Sequence, residues 1–244
     1  MRSPIIVHMN AVRLLEELRR PPVFGNKEVT GILGCDKRYA DLALKRLHDR
    51  NAIKRVDFGK YTTCNLAQTI ATHLVGPSYI TGWYALRIHD LTEQLPQLID
   101  VMITKKKNKK TIDFKREKIR FITVDKKHLF GFYSVPSEQH TMDIASPEKA
   151  IIDCLYYDLA PLSTVIRAIE MGKGRISSKR VVKMCLRLKN KRFLKKVGIV
   201  FDSSGIDLYE RFKQDMDYNP VLMDDRLCGL LDSTRFQKWN IRCQ

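Results

Sequence analysis

The chain has 244 residues, which is enough for two modest domains with a sizeable buried core. Hydrophobic residues make up 44% of it, which argues against wholesale disorder, and no apolar run approaches the length of a membrane span. The formal net charge of +17 favours a polyanionic partner, DNA or RNA before an anionic membrane surface.

The first predicted element is a helix over residues 9–19. Val12, Leu15 and Leu18 recur in it at helical spacing, and a proline pair that starts at Pro21 ends it. We expect these side chains to face the core of an N-terminal domain.

Two further helices follow, joined by a short turn. Asn26 is the expected N-cap of the second helix, which Gly34 terminates. Asp36 is the expected N-cap of the third, which runs for about four turns to Asn51, a residue that tolerates a left-handed terminus. Two short helices around a glycine-containing turn are typical of a helix-turn-helix.

The third helix is amphipathic, and a hairpin follows it. Its apolar side is formed by Ala40, Ala43, Leu44 and Leu47, whereas Arg38, Asp41, Lys45 and Asp49 fall on the opposite side. Residues 53–56 and 60–63 then flank Phe58-Gly59, which predicts a basic β-hairpin.

A cationic helix followed directly by a cationic hairpin predicts a winged helix-turn-helix domain over residues 1–65. The alternative is an ordinary pair of helices with a solvated charged face. The candidate DNA contacts are the basic and tyrosyl side chains of both elements: Lys37, Arg38, Tyr39, Lys45, Arg46, Lys54, Arg55, Lys60 and Tyr61.

Residues 66–205 predict a mixed α/β domain with an antiparallel-rich sheet. Its first long element is a helix in which Ile80, Trp83, Tyr84, Ile88 and Leu91 form the buried side. Five β-rich segments follow, at residues 98–104, 111–114, 119–124, 129–135 and 141–145. Helices then begin at Ser146, Pro161 and Ser178, and residues 206–244 form a mostly helical C-terminal extension. The fold class is therefore α+β.

The positive charge is concentrated in three blocks, residues 1–65, 101–133 and 173–198. The second block contains a lysine-rich segment, expected as a hairpin tip, that either is solvated or faces phosphates. Additional phosphate contacts are expected from these two downstream blocks: Lys105, Lys106, Lys107, Lys109, Lys110, Lys179, Arg180 and Lys183.

Catalytic and metal-binding patterns are absent from the sequence. The six cysteines are scattered without zinc-ligand spacing, so we expect buried thiols without a disulfide or a metal. Paired carboxylates at Asp215/Asp217 and Asp224/Asp225 lack a recognisable scaffold, and His89-Asp90 has no further partner. No catalytic residue and no cofactor are expected, and the poor N-terminal signal sequence predicts a cytoplasmic protein.

Several longer segments resemble one known family. These are LKRLHDRNAIKRVDFGKYTT, PSYITGWYALRIHDLTEQLP with the following VMITKKK, DIASPEKAIIDCLYY and VVKMCLRLKNKRFLKKVGIVFD. They are similar to the AbiE-type antitoxins, transcriptional regulators of abortive-infection toxin–antitoxin systems, over most of residues 10–205. Two departures stand at Asn51 and Asp90, where the family usually has glycine, and neither affects a basic residue.

The resemblance implies a repressor that binds inverted repeats in its own promoter through the winged helix, as a monomer or a homodimer that assembles on DNA. It also implies an antitoxin function, carried by the downstream domain, against a nucleotidyltransferase-like toxin. It places Lys37, Arg38, Lys45 and Arg46 on the recognition helix and Lys54, Arg55, Lys60 and Tyr61 on the wing.

Two other functional classes remain open. An RNA-binding protein would use the same charge, with Phe130, Phe132 and Tyr133 as the one candidate stacking cluster. A metal-dependent nuclease or nucleotidyltransferase would use the paired carboxylates.

Overall fold

The structure is a computed structural model that describes residues 11–223 and 225–244. The expected helix start at residue 9 and the carboxylate of Asp224 therefore lie outside the described residues.

The N-terminal region consists of three helices followed by a two-stranded antiparallel hairpin. These elements are α1 (Ala11–Leu18), α2 (Asn26–Leu33), α3 (Lys37–Asp49), β1 (Lys54–Asp57) and β2 (Lys60–Thr62). Two details of the sequence expectation are wrong. Leu14 and Leu18 are the buried residues of α1, whereas Val12 is exposed. Asn26 is the first residue of α2 and not its cap; Gly25 takes the cap position and donates its N–H to the Glu28 carboxylate at 2.7 Å.

A six-stranded mixed sheet forms the centre of the rest of the chain. Its strands run in the order β5-β6-β4-β3-β8-β7, with three antiparallel and two parallel pairings. Helices α4 and α5 and the six strands have these bounds: α4 (Ala67–Leu74), β3 (Ser78–Thr81), α5 (Gly82–Ile88), β4 (Leu98–Ile103), β5 (Thr111–Phe114), β6 (Glu117–Thr123), β7 (Phe132–Ser137) and β8 (His140–Ala145).

The single helix expected around Ile80 to Leu91 is wrong, because a strand and a shorter helix occupy this segment. Ile80 lies in β3, the buried strand next to β4. The backbone then turns at Gly82, which has φ of +68°, and a β-carbon there would lie 2.9 Å from the Asp100 carboxylate. Glycine permits this turn, so that α5 starts immediately after the strand.

The lysine-rich segment is not a hairpin tip. Strand β6 pairs with β4 in parallel and with β5 antiparallel, so β6 lies between them. Residues 104–110 therefore form a connection between two strands that are not neighbours in the sheet.

Four helices follow the sheet: α6 (Pro147–Tyr157), α7 (Leu162–Met171), α8 (Ser178–Arg187) and α9 (Lys191–Ser203). The predicted cap at Ser146 is confirmed, since its hydroxyl accepts the Lys149 N–H at 3.3 Å. The cap of α8 is Ser177 and not Ser178, because Ser177 accepts the Arg180 N–H.

The C-terminal extension contains short helices and also two short parallel strands. Its elements are α10 (Tyr209–Phe212), β9 (Val221–Met223), α11 (Asp225–Cys228), α12 (Phe236–Trp239) and β10 (Ile241–Cys243). The expectation that no cysteines are bonded is wrong for one pair, Cys228 and Cys243, which form a disulfide. Pairing of β9 with β10 sets Cys243 opposite Met223, and α11 then brings Cys228 back to the same place. Cysteine spacing cannot reveal this pairing, because it depends on a contact between distant segments.

The buried apolar residues form two clusters. The smaller cluster joins α1, α2 and α3 and ends at Ile53. The larger one runs from Val56 and Cys64 through the sheet to Trp239 and Ile241, so the C-terminal extension shares the core of the sheet.

A buried tryptophan of the extension packs directly on α9. Trp239 is fully buried, its indole N–H donates to Asp202 at 2.8 Å, and its ring covers the face of α9 at Gly198. A β-carbon at Gly198 would overlap the indole ring.

We therefore expect Gly198→Ala to displace Trp239 and to lower the free energy of unfolding by about 1–3 kcal/mol, the usual cost of overpacking a core. Urea unfolding monitored by tryptophan fluorescence measures both effects, since a displaced Trp239 emits at longer wavelength. Gly31→Ala is the matched control, because nothing lies within 4 Å of its site in α2 and alanine favours a helix. Unchanged stability and emission for Gly198→Ala would contradict this packing.

Candidate nucleic-acid interface

The side of α3 opposite to its core contacts carries Arg38 and Lys45 together with two exposed carboxylates, Asp41 and Asp49, and Lys37 and Arg46 lie at its margins. The Asp36 carboxylate accepts the Tyr39 N–H at 2.8 Å and starts the helix, and Asn51 follows its end with φ of +55°, both as predicted. Ala40, Leu44 and Leu47 are buried. The exposed basic side chains, which have no hydrogen-bond or ion-pair partner among the described residues, are Lys37, Arg38, Lys45 and Arg46.

Contacts on the flanks of α3 orient this open face relative to the hairpin. The His48 ring lies 6.0 Å from that of Tyr61 in β2, and its Nδ1 is 3.3 Å from the carbonyl oxygen of Ile53. Lys45 stands one helical turn before His48 and therefore shares the flank that faces the hairpin. Arg38 lies two turns before Lys45 on the same side.

The opposite flank of α3 borders α1. Tyr39, Leu42 and Arg46 line a shallow groove between the two helices, together with Leu14. The predicted contact Tyr39 is exposed at this edge, next to Leu42 and Arg46.

The hairpin keeps its basic side chains accessible, although two of them are engaged locally. Lys54 donates to the Asn65 side chain at 2.8 Å, and the Arg55 guanidinium lies 5.7 Å from the centre of the Phe58 ring. Lys60 is half-buried and has no side-chain partner among the residues described. Phe58 itself, at the tip, is 90% exposed. We name the cations of α3 and of the hairpin together the α3–hairpin surface: Lys37, Arg38, Lys45, Arg46, Lys54, Arg55 and Lys60.

Tyr61 serves the core more than the surface. It is half-buried against the smaller cluster, and its backbone exchanges two hydrogen bonds with Phe24, at 2.8 and 2.9 Å. The structure thus places this predicted contact where it links the hairpin to the segment before α2.

The hairpin is also held from its other side. Val56 points into the larger cluster, and a β-carbon at Gly25 would lie 2.6 Å from the Gly59 carbonyl oxygen, so the turn packs closely on the start of α2. Asp57 forms an ion pair with Lys107 of the lysine-rich segment. Burial raises the pKa of the Asp57 carboxyl, but hydrogen bonds from Lys107 and the Phe58 N–H outweigh it, so the pKa lies below its ordinary value.

The lysine-rich segment contains one lysine engaged in this contact and four exposed lysines. Lys107, a predicted phosphate contact, is only 13% exposed, pairs with Asp57 and lies over the Phe121 ring, so its ammonium group is engaged within the protein. Its side chain belongs to the joint between the hairpin and the sheet. The other predicted phosphate contacts of the segment are exposed and lack partners among the described residues: Lys105, Lys106, Lys109 and Lys110.

The third basic block also contains both exposed lysines and basic side chains that are paired with carboxylates. Lys179 and Lys183 are exposed on α8 without partners in the described chain. Arg180 is 60% exposed, and its guanidinium also binds the fully buried Glu148 carboxylate at 2.8 and 3.0 Å, so this predicted phosphate contact has a structural partner. Lys195, also in this block, is buried and pairs with Asp217 at 3.0 Å.

The residues of the two alternative functions are mostly engaged in the fold. Phe130 is buried between Lys149 and Arg187, and Phe132 stacks on Tyr79 at 4.7 Å, which leaves Tyr133 as the exposed member of the cluster. Asp217 is tied to Lys195, and His89 Nε2 lies 2.7 Å from the Ala145 carbonyl oxygen. Among residues 11–223 and 225–244, no three acidic, histidine or cysteine side chains are arranged to hold a metal ion.

Sequence reasoning missed one buried polar network. Lys149 and Asp153, one turn apart on α6, form an ion pair, and the Asp153 carboxylate accepts from Tyr79 at 3.0 Å and Thr81 at 2.8 Å. All four side chains are essentially inaccessible, so the network ties α6 to β3 and offers no approach for a substrate. Burial and the neighbouring carboxylate raise the pKa of the Tyr79 hydroxyl. The i, i+4 spacing of Lys149 and Asp153 within the apolar stripe of α6 is the sequence signal that could have predicted their ion pair.

Comparison with known proteins identifies a similar fold among solved structures and no matching protein family. No family model matches the chain, and no curated protein matches it. Among solved structures, the crystal structure of the RV2827C protein from Mycobacterium tuberculosis is similar, with a TM-score of 0.59 over 91% of this chain and 88% of that chain. The sequence identity of 13% limits this likeness to the fold. In the part of the chain that the structure describes, no helix has the length and apolarity of a membrane span.

The Asp57–Lys107 pair gives a test of how the hairpin is held. Because both side chains are largely buried, we expect Asp57→Asn to lower the free energy of unfolding by about 1–3 kcal/mol. The pKa of Asp57 is depressed, so its stabilising contribution is full above the ordinary value of 3.8 and is lost as the pH falls through the folded value.

Urea unfolding at several pH values measures this difference. Between pH 5 and 8 the gap between wild type and Asp57→Asn should be constant, and it should shrink below about pH 4. Asp113→Asn is the control, because that carboxylate is exposed and lies 3.8 Å from Lys118. Equal stability of the two variants would show that the buried pair does not hold the hairpin.

Proposed function

We propose that the chain is a sequence-specific double-stranded DNA-binding protein whose three N-terminal helices and hairpin act as a winged helix-turn-helix. The observation that carries the proposal is the α3–hairpin surface, in which four helical cations without described partners stand beside a cationic hairpin. An α-helix fits the major groove of B-DNA, where base edges are distinguishable.

The two parts of the surface have different proposed roles. Arg38 and Lys45, on the open face of α3, read base edges. The hairpin cations bind phosphates of the duplex and so fix the register of the helix on it: Lys54, Arg55 and Lys60. The contacts of the hairpin with α2, Phe24 and Lys107 support this division, because a fixed hairpin limits the number of ways in which α3 enters the groove.

The biological role we propose is that of a repressor of its own operon and the antitoxin of an abortive-infection toxin–antitoxin pair. Resemblance of the sequence segments to the AbiE-type antitoxins supports it. The operator would be an inverted repeat, bound by a homodimer or by two chains that assemble on it, because two-fold sites match two-fold proteins. The proposed functional partner is a nucleotidyltransferase-like toxin encoded nearby.

Binding to duplexes selected from a random library by the full chain tests the DNA-binding proposal. If about six phosphates are contacted, the logarithm of the affinity should fall with the logarithm of salt concentration with a slope of about −5. Structured RNA is added as a competitor, because a protein of the RNA-binding alternative would bind it in preference to the duplex. Preferential retention of RNA, or the absence of any selected sequence, would overturn the proposal.

Two substitutions separate base reading from phosphate binding. Arg38→Ala should reduce the preference for the selected sequence by about 1–3 kcal/mol, because a bidentate contact to a base edge is lost. Lys54→Ala should weaken selected and random duplexes alike and make the salt slope shallower by about one. An unchanged sequence preference for Arg38→Ala, measured on both duplexes by fluorescence anisotropy, would refute the assignment of roles.

The antitoxin role is tested in cells. Co-expression with the toxin-like product of the neighbouring gene should restore growth, and a reporter fused to the upstream region should be repressed by wild type but not by Arg38→Ala. Gly31→Ala serves as the control with an intact surface. Failure of the chain to restore growth would remove the antitoxin role and leave the DNA-binding proposal in place.

A further inference from the structure

One exposed apolar side chain of α3, Leu42, lies between the cations Arg38 and Lys45 and the groove that it lines with Tyr39 and Arg46. Leu42 is 43% exposed although leucine is among the residues most often buried. It is the sixth residue of a thirteen-residue helix. At helical spacing, Arg38 precedes it by four residues, and Lys45 and Arg46 follow it by three and four, so their β-carbons stand about 5–6 Å from its own.

The surrounding charges indicate what kind of surface can cover Leu42. An apolar protein surface that buried it would also have to desolvate three cations that have no partner among the described residues, which is costly. A polyanion neutralises the same cations as it approaches. The neighbours of Leu42 therefore favour a nucleic acid over a second protein chain.

Duplex DNA offers one apolar group to such a side chain. In the major groove the bases present hydrogen-bond donors and acceptors, and thymine adds its C5-methyl group. A leucine flanked by cations that contact phosphates or base edges is suited to that methyl group, because the contact removes apolar surface of both partners from water.

We propose that Leu42 reads the C5-methyl group of a thymine in each half of the DNA site and is a specificity-determining residue of this chain. The inference rests on the proposed DNA-binding function and adds to it a base identity: a thymine at the position that faces the middle of α3. Arg38 and Lys45 read hydrogen-bonding base edges beside it, and Leu42 adds discrimination of thymine through its methyl group.

The test is a uracil scan of a selected duplex. The full chain first selects a duplex from a random library, and each thymine is then replaced singly by deoxyuridine, which removes only the methyl group. For wild type, one replacement per half-site should weaken binding about four-fold, equivalent to the roughly 0.8 kcal/mol of one buried methylene-sized group. The other replacements should have no effect.

Variants then assign the effect to Leu42. Leu42→Ala should bind the thymine and uracil duplexes equally, so that the four-fold ratio falls to about one, and alanine preserves the helix. Leu42→Met should retain the ratio, because it keeps an apolar side chain of similar volume. Leu95→Ala, which removes a leucine that is 77% exposed outside the α3–hairpin surface, should leave it at four.

The outcomes distinguish failure of the role inferred for Leu42 from failure of the proposed DNA-binding function. Specific binding without any uracil-sensitive position, or a ratio that survives in Leu42→Ala, overturns the role of Leu42 and leaves the DNA-binding proposal intact. Selection that yields no preferred duplex overturns both. A change in the sedimentation of Leu42→Ala without DNA, together with an unchanged uracil ratio, would assign Leu42 to a contact between chains instead.

Discussion

The hairpin of β1 and β2 belongs to both hydrophobic clusters, and the position of its cations relative to α3 depends on these contacts. Val56 enters the larger cluster, whereas Tyr61 packs on the smaller one and pairs through its backbone with Phe24. The Thr62 hydroxyl donates to the Pro22 carbonyl at 2.6 Å, and Asp57 is tied to Lys107 across the joint with the sheet. The hairpin is therefore held by contacts on both of its sides.

The net charge of +17 overstates the charge that is free to meet a polyanion. Three basic residues of the two downstream blocks form ion pairs with carboxylates: Lys107, Arg180 and Lys195. An isolated buried charge is costly, so the acidic partners of Lys107 and Lys195 stabilise these two side chains in the fold. None of the basic residues that we assign to the face of α3 has such a partner among the described residues, whereas each of the other two blocks contains both paired and unpaired cations.

The parts of the structure that local chemistry determines were predictable from the sequence. Capping by Asp36, the left-handed Asn51, the apolar side of α3 and the turn at Phe58-Gly59 depend on neighbours within a few residues, and the structure has all of them. The contacts that sequence reasoning missed join distant segments: Lys107 with Asp57, Cys228 with Cys243, and the insertion of β6 between β4 and β5. Periodicity also misread the segment around Ile80, because a buried strand and a buried helix face are equally apolar and Gly82 separates them.

The most direct test of the account is a crystal structure of the full chain with a selected duplex. We predict that α3 lies in the major groove, with Arg38 and Lys45 toward base edges and Lys54 and Lys60 within reach of the flanking phosphates. We also predict that the hairpin keeps its contacts with Phe24 and Lys107. A complex in which α3 faces solvent while α8 or the lysine-rich segment carries the duplex would contradict the account.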